Sequence, residues 1–549
     1  MKKSILAMAS LSALVLSAEP SVRRLSVESY RDKMKAGWLG QMIGVEWGLP
    51  TEFRYQGRTI PDAEVPAWKP EMINGSFAND DLFVEMTFLR TLERHGLEVS
   101  PKQAGIDYAN ATFGLCAANW AGRDNLRRGI APPDSGHPHY NACADDIDYQ
   151  IESDYAGLIS PGLPQRAIEF SRLFGTLVNS GDGVWAGAFM GGMYAEAFFT
   201  QDLDAVIDAG LACIPTKSHY AEMVRDVRAW HRACPDDWRA CWRKVKAKYI
   251  DDPAYHRGRI DQPGSDVKPN GAFLLMGLLY GNGDLARTVK VAMQCGWDSD
   301  CNPSSAAGVL LTARGTGVLA PEYVSALDGD RKFSYSDYRF GDLLRVCERL
   351  MRQNVVKGGG RIERDSAGKE WIVVPQAKPV PDAYRPNWNP PPTTGARYTA
   401  EEMRQIVEKP FPGIGPTIAS RQKLPLPPIG RGETWMIGNH PDEYGLSLLP
   451  FPNAPISLDN EPLPIRICGL TNTVIHLGWG KYHVTRPQTL FVFEDCDNVV
   501  LRDATIVVHD AEPAELPPLY GERNCRQVRS HGIQTRFVGL EKGEKGAEQ

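Results

Sequence analysis

Two short acidic stretches hold the side chains most able to do chemistry. The first is Ala78-Asn79-Asp80-Asp81-Leu82, and the second is Gly296-Trp297-Asp298-Ser299-Asp300-Cys301-Asn302-Pro303. Each lies where a helix should begin. One carboxylate is enough to cap free N–H groups at a helix start and to meet the helix dipole. Together these stretches supply four carboxylates, with the Asn79 and Ser299 oxygens beside them. Four like charges gathered in one place require a compensating cation. An oxygen-rich ligand set suits hard ions such as Mg²⁺, Mn²⁺ or Ca²⁺.

Other groups carry weaker signals. Asp145, Asp146 and Asp148, with Glu152 and Asp154 nearby, either line a cleft or cap and solvate local structure. They lack the spacing and glycine of an EF-hand loop. Asp182 sits in Asn179-Ser180-Gly181-Asp182-Gly183, a turn or a cleft edge. His137 and His139 form an H-x-H pair with no visible third ligand. There is no C-x-x-C, no phosphate-cradling glycine loop and no G-x-S-x-G elbow, which leaves zinc-ribbon, thioredoxin-like and serine-hydrolase readings unsupported.

The elements that must position these groups read as helices. From about Val27 to Met351 apolar residues recur at helical spacing, with glycine stops. Val27–Gly48 carries Gly40, Gly44 and Gly48 four apart on one face, which lets another backbone approach closely. Leu82–His95 is amphipathic and closed by Gly96. Val184–Phe199 is nearly all apolar or small, Glu196 being the exception, and predicts a helix buried on all sides. Pro303 suits the first turn of a helix of small residues running to about Arg314.

Three of these motifs, in their order, resemble the ADP-ribosylglycohydrolase family over roughly residues 27–350. Gly40-Gln41-Met42-Ile43-Gly44-Val45-Glu46-Trp47-Gly48, with Glu52 four residues on, is similar to its opening motif. Asn79-Asp80-Asp81 resembles its Thr-Asp-Asp, and Asp298-Ser299-Asp300-Cys301 with Gly308 resembles its Asp-Thr-Asp-Thr helix start. The resemblance implies an all-α domain holding two Mg²⁺ or Mn²⁺ ions, hydrolysing a bond at the anomeric carbon of an ADP-ribosyl group. It makes Asn79, Asp80, Asp81, Asp298, Asp300 and Cys301 the metal candidates, with Glu52 and Asp81 as catalytic carboxylates. Trp297, Ser299, Asp146, Asp148 and Asp182 are the expected substrate contacts, Trp297 being either a stacking wall or a core residue. The chain departs from the family at Asn79 and Cys301, each in place of threonine, at Val45 in place of Asp, and at Trp297 in place of glycine.

The remainder of the chain frames that domain. Its 549 residues carry 61 Lys and Arg against 67 Asp and Glu, which gives no basic surface for nucleic acid. Met1-Lys2-Lys3, an apolar run to Leu16 and then Ser17-Ala18 predict a signal peptide over 1–18 and a periplasmic or secreted protein. That run is too short to span a bilayer. The 11 cysteines are expected mostly as buried free thiols. A helical catalytic domain over 19–355 is followed by a Pro-rich linker over 356–430, where Thr399 and Glu402 cap one short helix. A β-rich domain over 431–540 follows, a short β-solenoid or a sandwich, and then a charged tail over 541–549. The substrate is expected to be a small-molecule or glycan glycoside. The alternative is a non-catalytic sugar- or nucleotide-binding protein with a degenerate metal site.

Overall fold

The computed structural model describes residues 21–115, 117–141, 143–252, 255, 265–385 and 390–410. Beyond these it describes the strand segments 446–447, 456–457, 465–468, 471–476, 481–484, 489–509 and 518–538. The expected signal peptide and charged tail lie outside the described residues, as does 411–430 of the expected linker.

The N-terminal part is an all-α domain with one small sheet. Strand β1 (Val22–Ser26) leads directly into helix α1 (Val27–Gly48), capped where Ser26 Oγ accepts from Ser29 N. Helix α2 (Asp80–His95) ends at Gly96, whose φ of 80° releases the chain from the helix. The Asp182–Ala197 helix is almost wholly buried, as its all-round apolar pattern predicts. Among the described residues no helix is long and apolar enough to cross a membrane.

The glycine stripe of α1 decides the architecture. A Cβ on Gly40 would lie 2.4 Å from Ala307 O, and on Gly44 2.3 Å from Pro303 O. On Gly48 it would lie 2.0 Å from Ser299 O. As residue numbers rise along α1 they fall along the Cys301–Arg314 helix, so the two run antiparallel with backbones in contact. Any larger side chain would separate them.

Part of the segment expected as linker belongs to the helical domain instead. Strands β2 (Arg361–Arg364) and β3 (Glu370–Pro375) build an antiparallel sheet in the order β1-β3-β2. Ile372 and Val374 lie in the main core, and so do Tyr398 and Ile406 further on. Proline blocks helix and central strand but leaves apolar neighbours free to pack, so the extended chain wraps the helices rather than leaving them. The short helix Ala400–Gln405 carries the expected capping box between Thr399 and Glu402.

The C-terminal strands decide between solenoid and sandwich. They are β4 (Leu446–Ser447), β5 (Ile456–Ser457), β6 (Ile465–Cys468), β7 (Thr471–His476), β8 (Lys481–Val484), β9 (Phe491–Glu494), β10 (Asp497–His509), β11 (Tyr520–Arg523) and β12 (Arg526–Val538). Every pairing among them is parallel, with β10 against β7, β8 and β12, and β9 against β6 and β11. Sandwiches are built from antiparallel strands. Here the corner repeats: Asp495 and Asn524, 29 residues apart, both have φ near 50° and hydrogen-bond at 2.6 Å. Parallel strands stacked turn upon turn with repeated corners make a β-solenoid.

Candidate functional site

The antiparallel contact of α1 with the Cys301–Arg314 helix delivers the site. It brings the chain leaving α1 against the chain entering the other helix. Thr51 Oγ1 donates to Gly48 O at 2.8 Å, and its oxygen lies 2.8 Å from Ser299 Oγ. Phe53 N donates to Trp297 O at 2.7 Å, and Trp297 N to Tyr55 O at 3.2 Å. Glu52 is thus fastened beside Asp298 and Asp300. The Pro70–Ala78 segment packs on α1 through Gly75, whose added Cβ would strike the Glu46 carboxylate at 2.0 Å. That contact carries α2, with Asp80 and Asp81, to the same place.

Asp81, Asp298 and Asp300 are buried, Glu52 is half-buried and Asp80 is exposed. Asp80 is nevertheless surrounded by enough protein that desolvation raises its carboxyl. A solvent-accessible yet desolvated carboxylate marks the floor of a recess, open on the side of Asp80 and Glu52. Burial pushes Glu52 up to about 8, with the Asp300 and Asp80 charges adding to it. Burial likewise pushes Asp298 up to about 7. Asp81 and Asp300 are raised well above the carboxylate range, first by burial and then by neighbouring carboxyls.

The ligand atoms of Asp298, Asp300 and Cys301 lie within 4.8 Å of one another. Cys301 Sγ donates to Asp81 Oδ1 at 3.2 Å and to Asp300 Oδ1 at 3.6 Å. Asp81 Oδ2 and Asp298 Oδ1 are buried without a hydrogen-bond partner among the described residues. Converging, unneutralised and partly orphaned oxygens are what a divalent cation needs, so this donor set fits one.

A second acidic layer lies behind the first. Glu85, one helical turn after Asp81 on α2, is fully buried and strongly raised by burial and by Asp154. Glu152 is buried and hydrogen-bonded by Asn119, and feels Asp148, Asp80 and Asp81. Glu85 carried no signal by residue type alone. Its four-residue spacing from Asp81, which places both on one helix face, was the available clue.

The remaining expected residues separate into those the fold brings to the recess and those it does not. Asn79 spends its Oδ1 as the α2 cap, accepting from Asp81 N at 3.0 Å. Asp148 caps the Ala117–Arg127 helix through Ala118 N and Asn119 N, and its carboxyl, pushed to about 7 by burial, feels Asp80 at the recess edge. Trp297 is a core residue rather than a stacking wall: it is 4% exposed, stacked on Phe273 and packed against Trp242. Ser299, fully buried, lies against Thr51 and anchors the Glu52 loop. Asp182 accepts from Tyr220 N and faces Lys268 together with Asp145 and Asp266, an ion cluster of its own. Asp146 is buried in the same loop system, bridged to Asp266, with Asn179 Nδ2 donating to its backbone oxygen. His137 has both ring nitrogens in hydrogen bonds, with Pro391 O and His139 N, which leaves none for zinc. Cys213, Cys241, Cys295, Cys301 and Cys347 are buried free thiols.

Comparison with protein-family profiles agrees with the motifs. The profile of the family described as ADP-ribosylglycohydrolase matches residues 26–358. A solved structure described as an ADP-ribosylglycohydrolase-related protein complex is similar at 15% identity, covering 60% of this chain and 100% of that one, with a TM-score of 0.38. Among curated protein sequences none matches. The profile extends over more than half of the chain and spans all three acidic or glycine motifs, in the domain whose helices carry them to one recess; the chain belongs to the ADP-ribosylglycohydrolase family.

Proposed function

We propose that this protein is a divalent-metal-dependent glycohydrolase that cleaves the bond at the anomeric carbon of an ADP-ribosyl or other glycosyl substrate. The observation that carries the reading is the convergence of Glu52, Asp80, Asp81, Asp298 and Asp300 on one recess. The charges acting most strongly on these carboxyls are other carboxyls. Asp80, Asp81, Asp298, Asp300 and Cys301 would hold the metal. When bound, a divalent cation orients sugar hydroxyls and lowers the pKa of a water.

The chain's own groups then divide the work. Glu52 is half-buried on the open side and its carboxyl is raised to about 8, so it is the group suited to deliver or take a proton at the scissile bond. Asp81 is buried deeper on α2, and in the metal-free fold the Cys301 thiol donates to it and fixes its orientation. The Thr51–Ser299 contact and the Phe53–Trp297 hydrogen bond keep Glu52 in register with Asp298 and Asp300.

The test is hydrolysis of ADP-ribosyl conjugates and a glycoside panel with Mg²⁺, Mn²⁺, Co²⁺ or Zn²⁺, comparing the parent chain with Asp81→Asn. Metal-dependent release that disappears in the variant supports the enzyme. Ligand binding without turnover on any substrate returns the binding-protein alternative. The pattern Met1–Ala18 supports export to the periplasm or beyond. N-terminal sequencing of the mature chain tests this, with a start near Glu19 expected.

A further inference from the structure

Cys301 stands at the first position of its helix, among the acids. Its Sγ lies 3.2 Å from Asp81 Oδ1 and 3.6 Å from Asp300 Oδ1, and it forms one ligand group with Asp298 and Asp300. Ligand atoms around one ion of the zinc class sit about 2.0–2.3 Å from it, so they lie some 3–4 Å from each other. The sulfur is therefore within a single coordination sphere of those oxygens rather than a layer behind them. A second observation points to a ligand: Asp298, 4% exposed, leaves Oδ1 without a partner among the described residues, and Asp81, 1% exposed, leaves Oδ2 so.

Chemistry separates the ions that can use such a set. Mg²⁺ demands oxygen donors in near-ideal octahedral geometry, and sulfur serves it poorly. First-row transition ions accept thiolate together with carboxylate. We propose that Cys301 is a direct ligand that makes this centre select a sulfur-accepting transition ion, of the Co²⁺ to Zn²⁺ class, over Mg²⁺. Ligation replaces the Sγ–H bond with a metal–sulfur bond and releases one proton to solvent. The inference rests on the metal-dependent reading above and narrows it to the identity of the ion.

The experiment loads the metal-stripped full chain with Co²⁺ and records its near-ultraviolet absorption, then measures Zn²⁺ and Mg²⁺ affinities by competition. Both are repeated with Cys301→Thr and Cys301→Ser, whose folding is checked by circular dichroism. The expected result is an intense sulfur-to-cobalt band in the parent that is absent from both variants. The Zn²⁺-over-Mg²⁺ preference should fall by at least about tenfold in the variants. A parent that binds Co²⁺ without the band overturns the inference and leaves the metal-dependent reading standing, and it does so even if both variants misfold. An unchanged Zn²⁺-to-Mg²⁺ ratio in a folded variant has the same consequence. A parent that binds none of the three ions overturns both.

Discussion

Gly48, the last residue of α1, approaches Ser299 so closely that a Cβ on the glycine would lie 2.0 Å from the serine carbonyl oxygen. The contact joins the end of one helix to the approach of another, and Glu52 depends on it for its place beside Asp298 and Asp300. Gly48→Ala should therefore act twice. Pushing two backbones apart costs at least about 1–3 kcal/mol of stability. It should also weaken metal binding, because the added Cβ would lie 2.5 Å from the Asp300 Cα and push that ligand out of place. Calorimetric unfolding and metal titration of the variant measure the two effects.

Asp300 combines a ligand position with an electrostatic cost. Its carboxyl is raised well above the usual range by burial and by Asp298, so in the metal-free fold the charged form is disfavoured. A raised carboxyl loses stability as pH climbs above its unfolded value of about 3.9, and an amide does not. Metal-free Asp300→Asn should therefore melt higher than the parent at pH 8 and alike near pH 4. Its metal affinity should drop by about 10²-fold. Melting curves with and without Mn²⁺ at both pH values check this.

Glu46 offers a titration away from the metal ligands. It is 7% exposed on α1 against Gly75, and burial pushes its carboxyl up to about 7, with Arg331 pulling the other way. Below its ordinary value of about 4.5 the residue is neutral in both states and contributes no penalty. As pH rises from that value to about 7 the native state loses stability that a neutral isostere keeps, and the loss levels off above it. Glu46→Gln should match the parent at pH 4 and exceed it by about 2–3 kcal/mol at pH 8. Urea unfolding across that range measures the difference.

Trp297 separates a packing role from a substrate role. With its ring stacked on Phe273 and against Trp242, truncation leaves a cavity in the core. Trp297→Ala should cost about 3–5 kcal/mol. Trp297→Phe, which keeps an aromatic ring there, should leave KM for any accepted glycoside unchanged. A raised KM at unchanged stability would restore the stacking role.

Much of the site was legible along the chain because its chemistry is local. Asn79-Asp80-Asp81 and Asp298-Ser299-Asp300 announce themselves as carboxylates at helix starts, and the Gly40-Gly44-Gly48 stripe announces a close helix contact. Order and spacing of these motifs were enough for the family, for the helical character of the first domain and for the capping box at Thr399. The β-rich end was legible only as strands, since short alternating runs fit a solenoid or a sandwich equally well. Parallel pairing between turns 29 residues apart is a property of the stacked chain, and it chose the solenoid.

What the tertiary structure alone decided is which partner each residue meets. The glycine stripe could not name its neighbour; packing supplied the Cys301–Arg314 helix and its antiparallel direction, and with them the meeting of Glu52 and Asp300. Trp297 and Ser299 stood inside the second acidic stretch and Asp182 in a glycine turn of its own, yet they were drawn into the core, a loop anchor and the Lys268 ion cluster. Glu85, silent in the chain, joined the acids because four residues make one helical turn. Residue type fixes what a side chain can do, whereas burial and neighbours fix its charge and its use, and those exist only once distant segments have packed.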